Sequence, residues 1–157
     1  MNDLAGAWLW LFPLTYLAHL AEEALAGEGF YRWIRHVVGR TLERGTFLRL
    51  NAGFFAAMLA AVLLLRSTGG ALWLVPALGT IIGLNGVAHL LASLVTRTYS
   101  PGLVSGLLLW VPLGVAALLR SHAERPAGEW WMGVGAGLLL HAAVALAALQ
   151  SSRPERA

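Results

Sequence analysis

One histidine and two glutamates stand close together inside the first apolar stretch of the chain, in the motif His19-x-x-Glu22-Glu23. Residues three and four positions apart share one face of a helix, so these side chains would project together. An ionised side chain at the centre of a membrane helix costs about 2.5–3.5 kcal/mol. A good apolar residue favours membrane insertion by only about 0.3–0.6 kcal/mol. We therefore expect the three groups to face the interior of a helical bundle and to be paired there.

Polar residues in other apolar segments fall at a similar predicted depth. Asn85 and His89 share one helix face, Asn51 lies near the start of the second segment, and His141 lies near the middle of the fifth. We predict that these residues form one polar layer. In that layer His19, Glu22 and Glu23 would be catalytic. The metal ligands would be His19, Glu22, Glu23, His89 and His141, and the residues that support the site or contact substrate would be Asn51, Asn85, Tyr16 and Tyr99.

Imidazole nitrogen and carboxylate oxygen are ligands that suit zinc, iron or manganese. The spacing of His19 and Glu22 is similar to the Glu-x-x-His pairs of di-iron helical bundles, with the order reversed. We expect a divalent transition metal, zinc or iron, either as a single ion with an open position or as a carboxylate-bridged pair. Such a site could activate water or dioxygen against an apolar or lipid-like molecule. The chain would then be an intramembrane metal-dependent enzyme, an oxidoreductase or a hydrolase.

Two alternatives remain open at this point. In the first, the site is metal-free: one protonated glutamate, one ionised glutamate and a histidine move a proton on a lipid or isoprenoid, as an isomerase or hydrolase. The site type is similar to that of membrane-embedded sterol isomerases. In the second, the chain is a small proton- or ion-coupled transporter or a membrane partner subunit, because intramembrane carboxylates and histidines also form ion pathways.

Composition indicates that the solvent of this chain is lipid. The 157 residues suffice for one domain and are 58% hydrophobic and 12% charged, whereas soluble domains carry about 25% charged residues. The absence of cysteine excludes disulfides and thiolate ligands. No basic stripe is interleaved with stacking aromatic residues, so nucleic acid is not an expected partner. The expected partners are membrane lipid and an apolar small molecule, and a homo-oligomer is compatible with the sequence.

Five apolar segments are long enough to cross a membrane, which takes about 17–25 residues. They predict an all-α polytopic bundle that forms a single transmembrane domain over residues 1–150, followed by a solvated tail at 151–157. A four-span arrangement, with the first segment lying in the interface, stays open. A signal-peptide cleavage after Ala26 is not expected, because Glu22 and Glu23 lie where such a site is neutral. The segments cover residues 4–25, 47–65, 72–95, 103–119 and 131–149.

The distribution of arginine predicts the orientation of the bundle. The stretch 26–46 mixes arginines with aromatic residues and predicts a short amphipathic helix on the membrane surface. With five spans, eight arginines fall on the side of that stretch and three on the other, so the N-terminus would be outside and the C-terminus cytoplasmic. Most tryptophans, Trp110 included, are expected at the interface or facing lipid. Close helix packing is predicted where glycines recur four residues apart, at Gly79/Gly83, Gly102/Gly106 and Gly133/Gly137.

Three motifs in this order resemble those of one known family. They are His19-Leu-Ala-Glu22-Glu23, Asn85-Gly-Val-Ala-His89 and Tyr99-Ser-Pro-Gly102. The chain resembles the HXXEE-motif membrane proteins, small bacterial and archaeal proteins of largely unknown function, from about Tyr16 to Gly114. The resemblance implies a location in the cell membrane, a bacterial inner membrane. It also implies a shared site, without assigning a reaction to it, made from His19, Glu22, Glu23, Asn85 and His89.

Overall fold

The computed structural model describes residues 5–154, and these form a helical bundle. A 3₁₀ turn at Ala7–Trp10 leads into α1 (Leu11–Leu25). The helices that follow are α2 (Phe30–Trp33), α3 (Arg35–Val38), α4 (Arg44–Thr68), α5 (Leu74–Thr96), α6 (Leu103–Ser105), α7 (Val111–Glu124) and α8 (Ala127–Ser151). A π-helical turn, Gly106–Trp110, joins α6 to α7, and two short strands, β1 (Arg40–Thr41) and β2 (Arg153–Pro154), complete the fold.

Four helices within the described residues are long and apolar enough to cross a membrane. They are α4, α5, the continuous helix Leu103–Glu124 and α8. The prediction of an all-α bundle is therefore confirmed, and four of its five predicted spans are helices with the length and apolar character to cross a membrane. The first predicted segment is shorter as an α-helix than expected, because α1 begins only at Leu11, after the 3₁₀ turn Ala7–Trp10, while its end at Leu25 is where it was predicted. Leu4, its predicted start, lies outside the described residues.

Helix α1 nevertheless lies along the bundle from one end to the other. At its beginning, Arg66 near the end of α4 donates a hydrogen bond to the carbonyl oxygen of Ala5. At its end, Glu22 accepts hydrogen bonds from backbone N–H groups at the start of α6. The 3₁₀ turn and α1 together are about 30 Å long, which is about the thickness of a bilayer's hydrocarbon core.

The core of the bundle lies around α5, whose first half is buried. The largest fully buried side chains of the apolar core include Phe12 of α1, Met58 of α4 and Ile82 of α5. Large apolar side chains also cover the outside of the bundle, for example Leu94 at 65% and Leu139 at 74% exposure. A lipid solvent favours an outer surface of this kind, because the exposed apolar side chains then contact lipid and not water.

Glycines let the helices around α5 pack so closely that their backbones are in contact. A Cβ atom on Gly86 would lie 2.6 Å from the carbonyl oxygen of Gly106, and one on Gly79 would lie 3.0 Å from that of Gly114. On α8, a Cβ on Gly137 would lie 2.7 Å from the carbonyl oxygen of Ala77. The predicted packing role of spaced glycines is thus confirmed at Gly79, Gly106 and Gly137, whereas nothing lies within 4 Å of a Cβ on Gly83. Gly102 instead lies in the loop between α5 and α6, against the histidines described below.

The stretch between α1 and α4 forms two short helices and a strand instead of one amphipathic helix. Gly29 before α2 and Gly39 after α3 both have positive φ angles, 78° and 67°, so they limit the helical part of the stretch to residues 30–38, and a turn at Ile34 separates the two helices. Strand β1 pairs antiparallel with β2, so the chain after α8 is tied to this stretch. Within the predicted solvated tail, Ser152 is buried, Arg153 is exposed, and residues 153–154 form β2. Residues 155–157 lie outside the described range.

Candidate metal centre

Two histidines and one glutamate meet inside the bundle. His19 and Glu23 lie one turn apart on α1, and His89 projects toward them from α5. Their exposed fractions are only 1%, 6% and 3%, respectively. One atom of the carboxylate, Glu23 Oε1, lies 3.6 Å from His19 Nε2 and 3.3 Å from His89 Nε2. We call these three residues the His–Glu–His group.

The spacing of the donor atoms in the His–Glu–His group suits one metal ion. One donor atom from each residue lies within 4.8 Å of the other two. Ligands held at about 2.0–2.1 Å by a tetrahedral zinc ion lie about 3.3–3.4 Å apart. The two measured distances of 3.3 and 3.6 Å are close to that separation. Three protein ligands would leave one position open, as catalytic zinc sites and two-histidine, one-carboxylate iron sites do.

Both histidines are held through their second ring nitrogen. His19 Nδ1 lies 2.8 Å from the Ser105 hydroxyl, and His89 Nδ1 lies 2.9 Å from the Ser100 hydroxyl. Both serines are buried. An imidazole oriented at Nδ1 presents Nε2 in a fixed direction, which is the usual arrangement around metal-ligating histidines.

Aromatic rings enclose the two imidazoles. Trp110 stacks on His19 with ring centroids 3.7 Å apart, and Phe30 of α2 meets His89 edge-on at 5.2 Å. Trp110 is the last residue of the π-helical turn Gly106–Trp110, and such turns occur frequently at functional sites. The rings exclude water, so charges within the group interact through a medium of low dielectric constant.

Glu22, the neighbour of Glu23, is directed elsewhere. Its carboxylate accepts backbone hydrogen bonds from Gly102 at 3.1 Å, Val104 at 2.9 Å and Ser105 at 2.7 Å. These are the N–H groups at the beginning of α6, which have no partner within their own helix. Glu22 thus caps a helix that begins about 80 residues later in the chain.

Tyr99 completes the cap by donating a hydrogen bond from its hydroxyl to Glu22 Oε1. Burial and the hydrogen bond to the Glu22 carboxylate raise the pKa of Tyr99 to about 12. The phenol therefore keeps its proton at neutral pH and serves as a donor. The helix dipole also favours a negative charge at this position.

Gly102 lies against both imidazoles and allows no side chain. Its φ is +102°, and a Cβ atom there would lie 2.7 Å from His89 Cε1 and 2.9 Å from His19 Cε1. We expect Gly102→Ala to displace the histidines, to weaken metal binding, and to lower the free energy of unfolding by about 1–3 kcal/mol. Metal analysis and denaturant unfolding measure the two effects.

Gly53→Ala is the matched control, because nothing lies within 4 Å of a Cβ at that position of α4. It should leave metal binding unchanged and stabilise the helix by about 0.5–1 kcal/mol. Equal metal affinity in the Gly102 and Gly53 variants would show that Gly102 does not support the site.

A cavity of about 280 Å³ opens beside the His–Glu–His group. Its polar residues are few, and Glu23 and Asn85 are among them. The remaining wall is apolar and comes from α2, α3, α4, α5 and α8. The apolar and aromatic lining includes Phe30, Ile34, Val38, Leu42, Phe47, Leu50, Phe54, Ile81, Ala88, Val144, Ala145, Ala148 and Leu149. The volume is near the lower end of the range for small-molecule sites, about 300–1,000 Å³.

The other predicted site residues lie around this cavity or on the cap. Asn85 Nδ2 lies 3.4 Å from His19 Nε2, so its amide lies within hydrogen-bonding distance of the His–Glu–His group. The Tyr16 hydroxyl donates to Asn51 Oδ1 at 2.7 Å, and both residues line the cavity. His141 lines the cavity too and is not a member of the group. The structure thus brings His19, Glu23, His89 and Asn85 together, and places Glu22 with Tyr99 on the helix cap.

Sequence reasoning missed four residues that hold the site together: Ser100, Ser105, Gly102 as a contact of both imidazoles, and Trp110. Serine is too common in membrane helices to signal a hydrogen bond to a particular histidine. The prediction that Trp110 faces the interface or lipid is wrong, because it is 2% exposed and stacks on His19. The run Tyr99-Ser-Pro-Gly102 was a usable signal, since three of its residues touch the site or its cap.

Comparison with known proteins gives one match. A family described as "Protein of unknown function with HXXEE motif" matches residues 10–117. The matched stretch includes the whole His–Glu–His group, both serines and Trp110. No curated protein and no solved structure matches the chain.

Proposed function

The chain belongs to the HXXEE family, and we propose that it is an intramembrane metal-dependent enzyme that acts on an apolar or lipid-like molecule. One observation carries the proposal. The His–Glu–His group is buried, its donor atoms are spaced for a single metal ion, and it borders an apolar cavity of about 280 Å³. A ligand set beside an apolar cavity is what a metal enzyme with an apolar substrate requires.

The hydrogen bonds around His19 favour a cation between its Nε2 and Glu23. The Ser105 hydroxyl lies beside the Glu22 carboxylate as well as beside His19 Nδ1. A hydroxyl that gives its hydrogen to a carboxylate accepts through its oxygen, so this arrangement favours a proton on Nδ1. Nε2 of the neutral ring then presents a lone pair between Glu23 Oε1, 3.6 Å away, and the amide nitrogen of Asn85, 3.4 Å away. Two facing acceptors are stable when a metal ion or a proton lies between them.

The bound metal would supply Lewis acidity, which polarises a carbonyl group or activates water. The chain's own residues would do the rest. His19, Glu23 and His89 would hold the ion, and the amide of Asn85 could donate a hydrogen bond to a substrate oxygen in the cavity. The apolar wall would bind the substrate chain and exclude bulk water.

In the membrane, α1 would be a fifth span. Its position along the whole bundle supports this, together with its length of about 30 Å including the 3₁₀ turn. The His–Glu–His group would then lie in the cytoplasmic third, on the side with eight of the eleven arginines. The pairing of β1 with β2 agrees with this arrangement, because it holds both strands at the same end of the bundle.

A metal-free acid–base enzyme is the second candidate, and one distance favours it. His89 Nε2 lies 3.3 Å from Glu23 Oε1, which is within the distance of an ion pair between the two side chains. If Ser100 donates to His89 Nδ1, then Nε2 carries the proton and donates to Glu23 without any metal. Glu23 and His89 would then share a proton that could pass to and from a substrate.

Element analysis of the purified protein, with mass spectrometry of co-purified lipids, separates the two candidates. A metal enzyme should carry about one zinc, iron or manganese ion per chain. It should also retain an apolar compound in the cavity. A folded protein that holds no metal, even after incubation with each of the three ions, would contradict the metal proposal and leave the acid–base enzyme.

A further inference from the structure

Trp110 carries a buried donor that nothing in the protein satisfies. Its Nε1 is the one buried side-chain nitrogen or oxygen without a hydrogen-bond partner among residues 5–154. Trp110 is 2% exposed and lines the cavity, and its Nε1 lies just beneath the cavity surface. A buried donor without an acceptor costs about 1–3 kcal/mol. Unsatisfied groups of this kind are rare in folded proteins and call for an explanation.

Two other indole nitrogens in the same bundle have hydrogen-bond acceptors. Trp33 Nε1 donates to the Thr98 hydroxyl at 2.9 Å, and Trp130 Nε1 donates to the carbonyl oxygen of Leu118 at 3.1 Å. The fold therefore provides acceptors for indole nitrogens in other places, and the exception lies at the cavity next to the His–Glu–His group.

Tyr16 and Asn51, which line the same cavity, bond to each other and to the backbone and not to the indole nitrogen of Trp110. The Tyr16 ring packs 5.6 Å from the indole, but its hydroxyl is bonded to Asn51 Oδ1. The amide nitrogen of Asn51 in turn donates to the carbonyl oxygen of Phe47 at 3.0 Å. A water molecule at Nε1 would need two to four polar partners in a cavity whose wall is mostly apolar.

We infer that the ligand of this cavity carries a hydrogen-bond acceptor oxygen that Trp110 Nε1 recognises once a small shift of the indole opens Nε1 to the cavity. The ligand class is a long apolar molecule with a carbonyl, ester or hydroxyl oxygen near one end, in contrast to a pure hydrocarbon. Because Trp110 stacks on His19 at 3.7 Å, the recognised oxygen lies close to the His–Glu–His group. This inference rests on the proposed function, since it takes the cavity to be the substrate site.

Proton–nitrogen NMR of the indole groups tests the inference on the full chain in detergent micelles. The Trp110 indole resonance is assigned through its own backbone amide and titrated with decan-2-one or with decane. The two probes have chains of the same length, and only the ketone has an acceptor oxygen. We expect the ketone to move the Trp110 indole proton downfield and decane to leave it in place.

Trp110→Phe keeps a ring that can stack on His19 and removes the N–H. It should weaken decan-2-one binding about five- to tenfold, the effect of losing one hydrogen bond. Decane binding should change less than twofold. Trp130→Phe is the matched control, because that indole is bonded to Leu118 and neither residue lines the cavity, and this variant should bind both probes as the native chain does.

Two results would overturn the inference. One is a Trp110 indole proton that stays in place at saturating ketone, and the other is a Trp110→Phe chain that binds ketone and decane as the native chain does. Metal content, measured on the same samples, distinguishes this failure from that of the proposed function. A metal-loaded protein with an unmoved indole proton contradicts the ligand class alone. A metal-free protein with a shifted indole proton contradicts the metal enzyme and supports the ligand class.

Discussion

His89→Ala should lose its bound metal while the chain still folds. The substitution removes one of three ligands and leaves two from the same helix, His19 and Glu23, one turn apart. Losing even a residue that only orients a ligand weakens metal binding about 10–100-fold, so losing a ligand should weaken it at least about 100-fold. Metal titration of the purified, demetallated protein measures the change.

His122→Ala is the matched control for that titration. His122 lies near the end of α7 against Trp130, and it is not part of the His–Glu–His group. Its removal should leave metal affinity unchanged. If the His89 and His122 variants bind metal with the same affinity as the native chain, the assigned ligand set is wrong.

Glu22→Ala should destabilise the fold more than other glutamate substitutions do. The carboxylate accepts three backbone N–H bonds at the start of α6 and one from Tyr99. Losing a charged cap with several hydrogen bonds should lower the free energy of unfolding by about 2–4 kcal/mol. Unfolding in mixed detergent micelles, followed by circular dichroism, measures this loss.

Glu28→Ala provides the comparison, because Glu28 is only half-buried and pairs with Arg35 at 2.6 Å and with His36. Ion pairs of this kind contribute about 0–1 kcal/mol. Equal losses in the Glu22 and Glu28 variants would show that the cap does not stabilise the bundle.

The helices could be predicted because the features that determine them are local in the sequence. Long apolar runs bounded by arginine, glycine and proline determine where a span can begin and end, and four of the five predicted segments form helices long enough to cross a membrane. The stretch between α1 and α4 was less predictable. Its form depends on the turns at Gly29 and Gly39 and on pairing with β2, more than a hundred residues away.

The polar cluster could be located from the sequence, but its division of roles could not. Glu22 and Glu23 are adjacent, so on a helix they point about 100° apart. Which of them meets the histidines depends on where α5 and α6 lie around α1. The deciding contacts, such as Glu22 with Ser105, join residues more than 80 positions apart.

Trp110 was misassigned for a similar reason. The expectation that tryptophans lie at the interface is a rule about composition, and it does not depend on the local helical period. The π-helical turn Gly106–Trp110 adds a residue to the helix and rotates the side chains that follow relative to a regular α-helix. Periodicity counted from the sequence therefore cannot place Trp110 over His19.

The central claim is that the two adjacent glutamates have separate roles, with Glu23 as a metal ligand and Glu22 as a helix cap. The metal-to-protein ratio of folded Glu22→Gln and Glu23→Gln, isolated as monodisperse fractions and loaded side by side, tests it most directly. We predict that the Glu22→Gln chain keeps about one metal ion per chain and that the Glu23→Gln chain loses it. Equal metal content in the two variants, whether both keep the ion or both lose it, would contradict the claim.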